Sequence, residues 1–206
     1  MTGMVRKALT IAAGFAVVAS VASAGVPDPR FSTLDAVVVG TNSGALTSQF
    51  GAPANPGFDV VVRDVNNATL SGRTVTLNFA ASGMKVYSTQ NAGTTVNCAA
   101  KSISRVTNGS GAVVFGAKVA KFNNSNTVEV SAEGVVLGNV KGRSTDIDGL
   151  VEGKVGLGDL SAFSVNYLLN TSAVETDYDV SGLTGLSDLS IFSVEYLLGP
   201  TLTFCP

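Results

Sequence analysis

The chain of 206 residues has no histidine, no tryptophan and only two cysteines. Without histidine, Ser-His and Cys-His nucleophile schemes are excluded, as are His-ligated metals. Basic residues are scarce where acidic ones gather. Residues 144–206 hold one basic residue, Lys154, against nine acidic ones, a net of −8. Residues 25–143 hold ten basic and six acidic residues, a net of +4. That positive half has no Lys/Arg cluster and no interleaved aromatics, so a nucleic-acid partner has no support. Such asymmetry marks two units with different tasks. Acids packed as densely as those of the C-terminal stretch need a cation or solvent to be tolerated.

Long apolar runs are equally scarce. The single one, Ala8 to Val21, is short for a membrane span. It follows Arg6 and Lys7 and precedes Ala22-Ser23-Ala24, a small-x-small pattern, so residues 1–24 are expected to be a signal peptide cut after Ala24. The alternative is an uncleaved N-terminal anchor. No second hydrophobic span and no C-terminal sorting tail follow. The mature chain is therefore expected outside the cytoplasm, secreted or at the cell surface, where disulfides persist. A bridge between Cys98 and Cys205 would close a loop of over a hundred residues. In the chain-entropy model that is worth at most about 4 kcal/mol. Two unpaired thiols are the alternative, and a liability under oxidising conditions.

From residue 26 onward the chain speaks in short strands and turns. Punctuation comes first: "VPDPRFST", "GTNSG" and "GAPANPG", with "LDAVVVG" between them as a strand. "FDVVVRD" is the next strand, and "VNNATLSG" a turn around Asn66-Asn67. In "RTVTLNFA", Val75, Leu77 and Phe79 alternate with Thr74, Thr76 and Asn78, the period of a half-buried strand. "MKVYS", "TTVNCA", "SISRVT", "AVVFGAKVAKF", "TVEVSAEG" and "VVLGNV" follow, separated by turns such as "NGSG" and "NNSN". Seven or eight short strands without helical period predict a β-sandwich.

The pieces "VVVRDVNNATLSGRTVTLNF", "TNGSGAVVF" and "NTVEVSAEGV" come in the order found in bacterial immunoglobulin-like domains of the invasin type. The resemblance covers about residues 34–138. It implies an Ig-like sandwich with a spacer or adhesion role and no catalysis. The boundary of this unit, 25–143, is expected near Lys141 to Thr145, where strand patterning stops and acid begins.

Beyond it the chain repeats itself. "GLGDLSAFSVNYLLN" (156–170) returns as "GLSDLSIFSVEYLLG" (185–199), and residues 148–169 match 177–198 at 14 of 22 positions. After Asp159, Leu160, Phe163, Tyr167 and Leu168 recur at helical spacing; Leu189, Phe192, Tyr196 and Leu197 do the same after Asp188. Two short amphipathic helices are predicted, each able to bury its apolar face only against the other.

Before each helix lies an acidic loop. The second places oxygen side chains at its first, third, fifth and twelfth positions, Asp177, Asp179, Ser181 and Asp188, with Gly182 sixth. This spacing wraps one segment around a calcium ion, and Leu183, seventh, would give its backbone carbonyl. Asp159 and Asp188 have a plainer alternative as helix N-caps. The first loop in the same register offers Asp148, Glu152, the Lys154 carbonyl and Asp159, with Leu150 where an oxygen belongs. A register two residues longer would instead use Asp146 and Asp148 as first and third ligands. Both registers stay open, and the first loop is expected to be the compromised one.

Tandem calcium loops with only an exit helix, followed by Leu-x-x-Phe and Tyr-Leu-Leu, resemble dockerin modules over residues 146–199. The resemblance implies a calcium-dependent fold that plugs into a cohesin-like partner within assemblies of bacterial polysaccharide-degrading or surface proteins. It also implies that the tenth and eleventh loop positions, Leu157-Gly158 and Leu186-Ser187, take part in partner choice. The expected class is mainly β plus small α, an Ig-like sandwich (25–143) before a two-helix, two-loop module (144–206). The expected protein is a secreted, non-catalytic calcium-binding protein for docking or surface attachment. The alternatives are a purely structural surface or matrix component, or an accessory to polysaccharide binding or degradation. A carboxylate pair for glycosidase chemistry finds little among the sandwich acids, and Glu129 alternates outward from Val128 and Val130.

Overall fold

The computed structural model describes residues 25–43, 57–121, 127–150, 153–170, 175–179 and 181–206. The expected signal segment, the "NNSN" turn and Glu152 lie outside them. The described chain is mainly β with two helices. Its strands are β1 (Thr33–Leu34), β2 (Val37–Gly40), β3 (Phe58–Val61), β4 (Thr74–Asn78), β5 (Lys85–Val86), β6 (Thr95–Asn97), β7 (Ser102–Val106), β8 (Ala112–Phe115), β9 (Val119–Ala120), β10 (Thr127–Ala132) and β11 (Val135–Ser144). They form a sheet in the order β1-β3-β8, a second in the order β2-β11-β10-β4-β7-β6, and the pair β5-β9.

Side chains from all three sheets meet in one core. The predicted alternation holds in β4, where Val75 and Leu77, with Phe79 just beyond, are fully buried. Phe58, Val60 and Phe115 join them in the core from the first sheet, and Val128 and Val130 from β10, next to β4. Burying such side chains is the main stabilising term, about 1.5–3 kcal/mol each. The predicted turns are built by side chains. Asp64 Oδ1 accepts from the Asn66 and Ala68 amides, and Asn108 Oδ1 from those of Ser110 and Ala112. These are Asx turns, which mimic a backbone turn.

Two predicted strands divide. "LDAVVVG" splits into β1 and β2, and "AVVFGAKVAKF" into β8 and β9, each half in a different sheet. A continuous apolar run cannot reveal where a strand changes sheets. "VVLGNV" is too short a reading of β11, which continues through Lys141–Ser144 in parallel register with β2. The stretch 142–145 is buried although its residues are small or polar. Pairing with β2, not apolar patterning, keeps it extended.

The helices are α1 (Leu157–Leu168) and α2 (Leu186–Leu198). Phe163 and Phe192 stack with ring centroids 4.6 Å apart. Leu160, Tyr167, Leu189, Ile191 and Tyr196 surround them, as do Val37 and Val39 of β2. The helices therefore bury their faces against each other and against the sheet. Leu168 and Leu197 correct the predicted stripe, being 79% and 74% exposed. At 3.6 residues per turn, the eighth residue after Leu160 or Leu189 lies about 80° round the helix, at the margin of the apolar face. No helix among the described residues is long and apolar enough to cross a membrane.

The C-terminal tail returns to the β core. Cys98 and Cys205 form a disulfide spanning 107 residues. Phe204 stacks on Tyr87 at 4.6 Å, and the Leu202 amide donates to the Gly153 carbonyl at 2.9 Å. Because the loop closed is long, Cys205→Ser should lower unfolding stability by about 2–4 kcal/mol in chemical denaturation. An unchanged denaturation midpoint would show that the tail is held without the bridge.

Candidate metal centres

Each helix begins with a glycine N-cap, Gly156 or Gly185, which has no side chain to cap with. The third helical residue does that work. The Asp159 carboxylate accepts from the Gly156 amide at 2.7 Å, and Asp188 from that of Gly185 at 2.8 Å. The two aspartates are thus not N-caps but reach back to the cap, half of a capping box. The other oxygen of each faces the start of its loop. Asp159 accepts from the Ile147 and Asp148 amides at 2.6 and 3.1 Å. Asp188 accepts from those of Tyr178 and Asp179 at 2.5 and 3.0 Å. One carboxylate thus ties both ends of a loop to the first turn of its helix, in the same way twice.

Around these closing residues two triads assemble. Asp146, Asp148 and Asp159 bring one carboxylate oxygen each within 4.8 Å of one another, and so do Asp177, Asp179 and Asp188. Either triad could hold a metal ion. In the first loop, the carboxylates that meet are those of the longer register. Leu150 is exposed, and its amide donates to Asp148. Lys154 is exposed as well. In the second loop the Ser181 amide donates to Asp177 and Asp179, and its hydroxyl to the Leu183 carbonyl. Gly182 takes the positive φ, +95°, that its turn demands.

The eleventh loop positions face the triads. Ser187 donates its hydroxyl to Asp179 Oδ2. At the matching place a Cβ on Gly158 would stand 2.5 Å from Asp148 Oδ2. Serine bonds the third-position carboxylate, and glycine makes room for it. The tenth positions, Leu157 and Leu186, lie exposed.

Burial sets the electrostatics. It pushes Asp146 up to about 6; the Tyr87 hydrogen bond opposes the rise and neighbouring Asp159 adds to it. Burial likewise raises Asp159 and Asp188 against the pull of their amide donors. Asp177 is raised by burial despite Arg143 beside it. Burial raises Asp179 too, but hydrogen bonds from Ser187 and Ser181 help bring it below the usual range. Three carboxylates this close cannot all ionise cheaply without a cation.

Three residues that sequence patterning did not single out complete the sites. The Tyr87 hydroxyl donates its one proton to Asp146 Oδ2 at 2.5 Å, and Asn42 Oδ1 lies 3.2 Å from the same hydroxyl. Asn42 in turn donates to the Gly153 carbonyl at 3.0 Å. Arg143, at the end of β11, lies 3.4 Å from Asp177 Oδ2. These partners stand tens of residues away along the chain. The one signal in the sequence was that Arg143 is the last basic residue before the acidic stretch.

No family model, no curated protein and no solved structure matches the chain.

The raised carboxylates give metal-free protein a definite pH dependence. Unfolded, Asp146 titrates near 3.9; folded, it titrates near 6. Below about pH 4 both states hold the proton and nothing is lost. Between about pH 4 and 6 the unfolded chain releases it first, so stability falls as pH rises. The thermal midpoint of metal-free protein should decline across this window, and less steeply for Asp146→Asn. Coincident profiles for the two proteins would contradict it.

Proposed function

We propose that this is a secreted, non-catalytic calcium-binding protein, an Ig-like sandwich carrying a dockerin-like module that docks to another protein or attaches at a cell surface. The observation that carries the reading is the pair of aspartate triads closed by Asp159 and Asp188 in one shared hydrogen-bond frame. The acidic donors are hard oxygens, which suit calcium, and calcium's flexible coordination tolerates a loop two residues longer than its twin. Bound calcium would supply the positive charge that three crowded carboxylates require. In the first loop Asp146, Asp148 and Asp159 would hold it; in the second, Asp177, Asp179 and Asp188, with Ser181 and the Leu183 carbonyl at hand.

Strand order supports the Ig-like part. In such sandwiches the first, second and fifth strands share one sheet and the third joins the last two in the other. Here β1-β3-β8 and β4-β10-β11 take those places, with β7 and β6 extending the second sheet. Docking is supported by an apolar surface that repeats with the sequence. Leu157 and Leu186 are exposed, and so are Leu168 and Leu197, each pair 29 residues apart. A cavity of about 560 Å³, lined by Lys154, Val155, Gly156, Leu157, Tyr196 and Leu197, brings the start of α1 beside the end of α2. Leu157 and Leu197 thus line one open groove, where a partner's apolar side chains would cover both. The partner would be a cohesin-like or other cell-surface protein.

Calorimetric titration should detect calcium binding that Asp159→Ala and Asp188→Ala each reduce by one site. At a hundredfold excess over Kd, each ion should add about 2.7 kcal/mol of stability. An identical melt with calcium and with chelator would sink the reading. Docking has its own check: a surface protein captured by the chain should be released by chelator and lost on joint Leu157→Asp and Leu186→Asp substitution.

A further inference from the structure

The regular loop and the irregular one differ in what the β core presents to them. Asp146 receives a neutral donor, the Tyr87 hydroxyl. That ring is held by Phe204 stacked on its face, with Asn42 Oδ1 packed 3.2 Å from its hydroxyl. Asp177 instead receives a full positive charge. The Arg143 side chain is only 7% exposed, its Nη1 lies 3.4 Å from Asp177 Oδ2, and neither Nε nor Nη1 makes a hydrogen bond. β11 leaves it little freedom, since Arg143 pairs with Val39 in the parallel ladder.

Such a guanidinium does two things. In metal-free protein it offsets charge in the second triad. When a divalent cation arrives at the same carboxylates, it becomes a like charge a few ångströms away in a poorly screened interior, and like charges there repel strongly. Among the described residues the first triad has no guanidinium against Asp146 but a hydroxyl, which favours the ionised carboxylate without opposing a metal. The Lys85 ammonium reaches the same loop but donates to the Gly149 carbonyl, not to a carboxylate of the triad.

We infer that Arg143 is an internal counter-cation that weakens calcium binding at the second loop, so the Asp146–Asp148–Asp159 site fills first although its loop is the irregular one. The inference rests on the calcium reading and reverses the order expected from loop spacing.

Site-resolved titration of the full chain tests it. Calcium calorimetry of the wild type should show two steps. The tighter should vanish in Asp159→Ala and the weaker in Asp188→Ala. Arg143→Met should tighten the weaker step by about tenfold or more, close to 1.4 kcal/mol per factor of ten, and Arg143→Lys should restore the wild-type value. Terbium gives a spectroscopic readout that needs no arginine variant. With no tryptophan present, tyrosine sensitises terbium, and the first equivalent should lose a large part of its emission in Tyr87→Phe, the remainder coming from Tyr178, whose ring senses both Asp159 and Asp188. A tighter step lost with Asp188→Ala, or an Arg143→Met affinity within about twofold of wild type, overturns the role of Arg143 and leaves calcium binding standing. No calcium heat and no terbium emission at all would overturn both.

Discussion

In each repeat one carboxylate does the joining. Asp159 and Asp188 sit in the first turn of a helix, accept from the glycine that caps it, and accept from two amides at the start of the loop. The loop is pinned shut before any ion is considered, and the first- and third-position aspartates are delivered beside the closing one. The cost is charge crowded into a buried place. Burial raises Asp146, Asp159, Asp177 and Asp188 together. The remaining features of the C-terminal region answer that crowding: amides turned inward, a hydroxyl over Asp146, a guanidinium beside Asp177 and the capacity for a cation.

Those answers come largely from the β core. Tyr87 follows β5, Arg143 stands near the end of β11, and Asn42 follows β2. The Ser43 amide and hydroxyl both donate to buried Glu195 of α2, and Val37 and Val39 pack under the helices. The disulfide then ties the tail beyond α2 to β6's neighbourhood. Each of these contacts joins residues that stand far apart in sequence, so the loops are shaped by the sheet they rest on as much as by their own spacing.

This arrangement accounts for the unequal character of two nearly identical repeats. Duplication supplies the shared frame: glycine cap, closing aspartate, stacked phenylalanines and exposed leucines. The surroundings then differ, because the two copies meet different parts of the core. Small changes inside the frame follow from it. Gly158 clears space for Asp148 where Ser187 bonds Asp179, so the same helical position serves its loop in two chemical ways.

Local chemistry was legible without coordinates wherever it is written in neighbouring residues. The alternation of Val75, Leu77 and Phe79 announces a half-buried strand, Asp64 and Asn108 announce turns, and the 29-residue repeat announces paired helices after acidic loops. The even pair of cysteines suggested a bridge. What the residues alone left open was everything that needs a partner from elsewhere. Both registers of the first loop contain Asp148 and Asp159, and it is in space that Asp146 joins them. Leu168 and Leu197 belong to an apolar pattern, yet the packing angle turns them outward. A positive charge at residue 143 looks like surface solubility until β11 carries it under Asp177. Spacing along the chain determines which oxygens can reach one point; only the tertiary fold decides which charges surround that point, because electrostatic neighbours are set by distance in space.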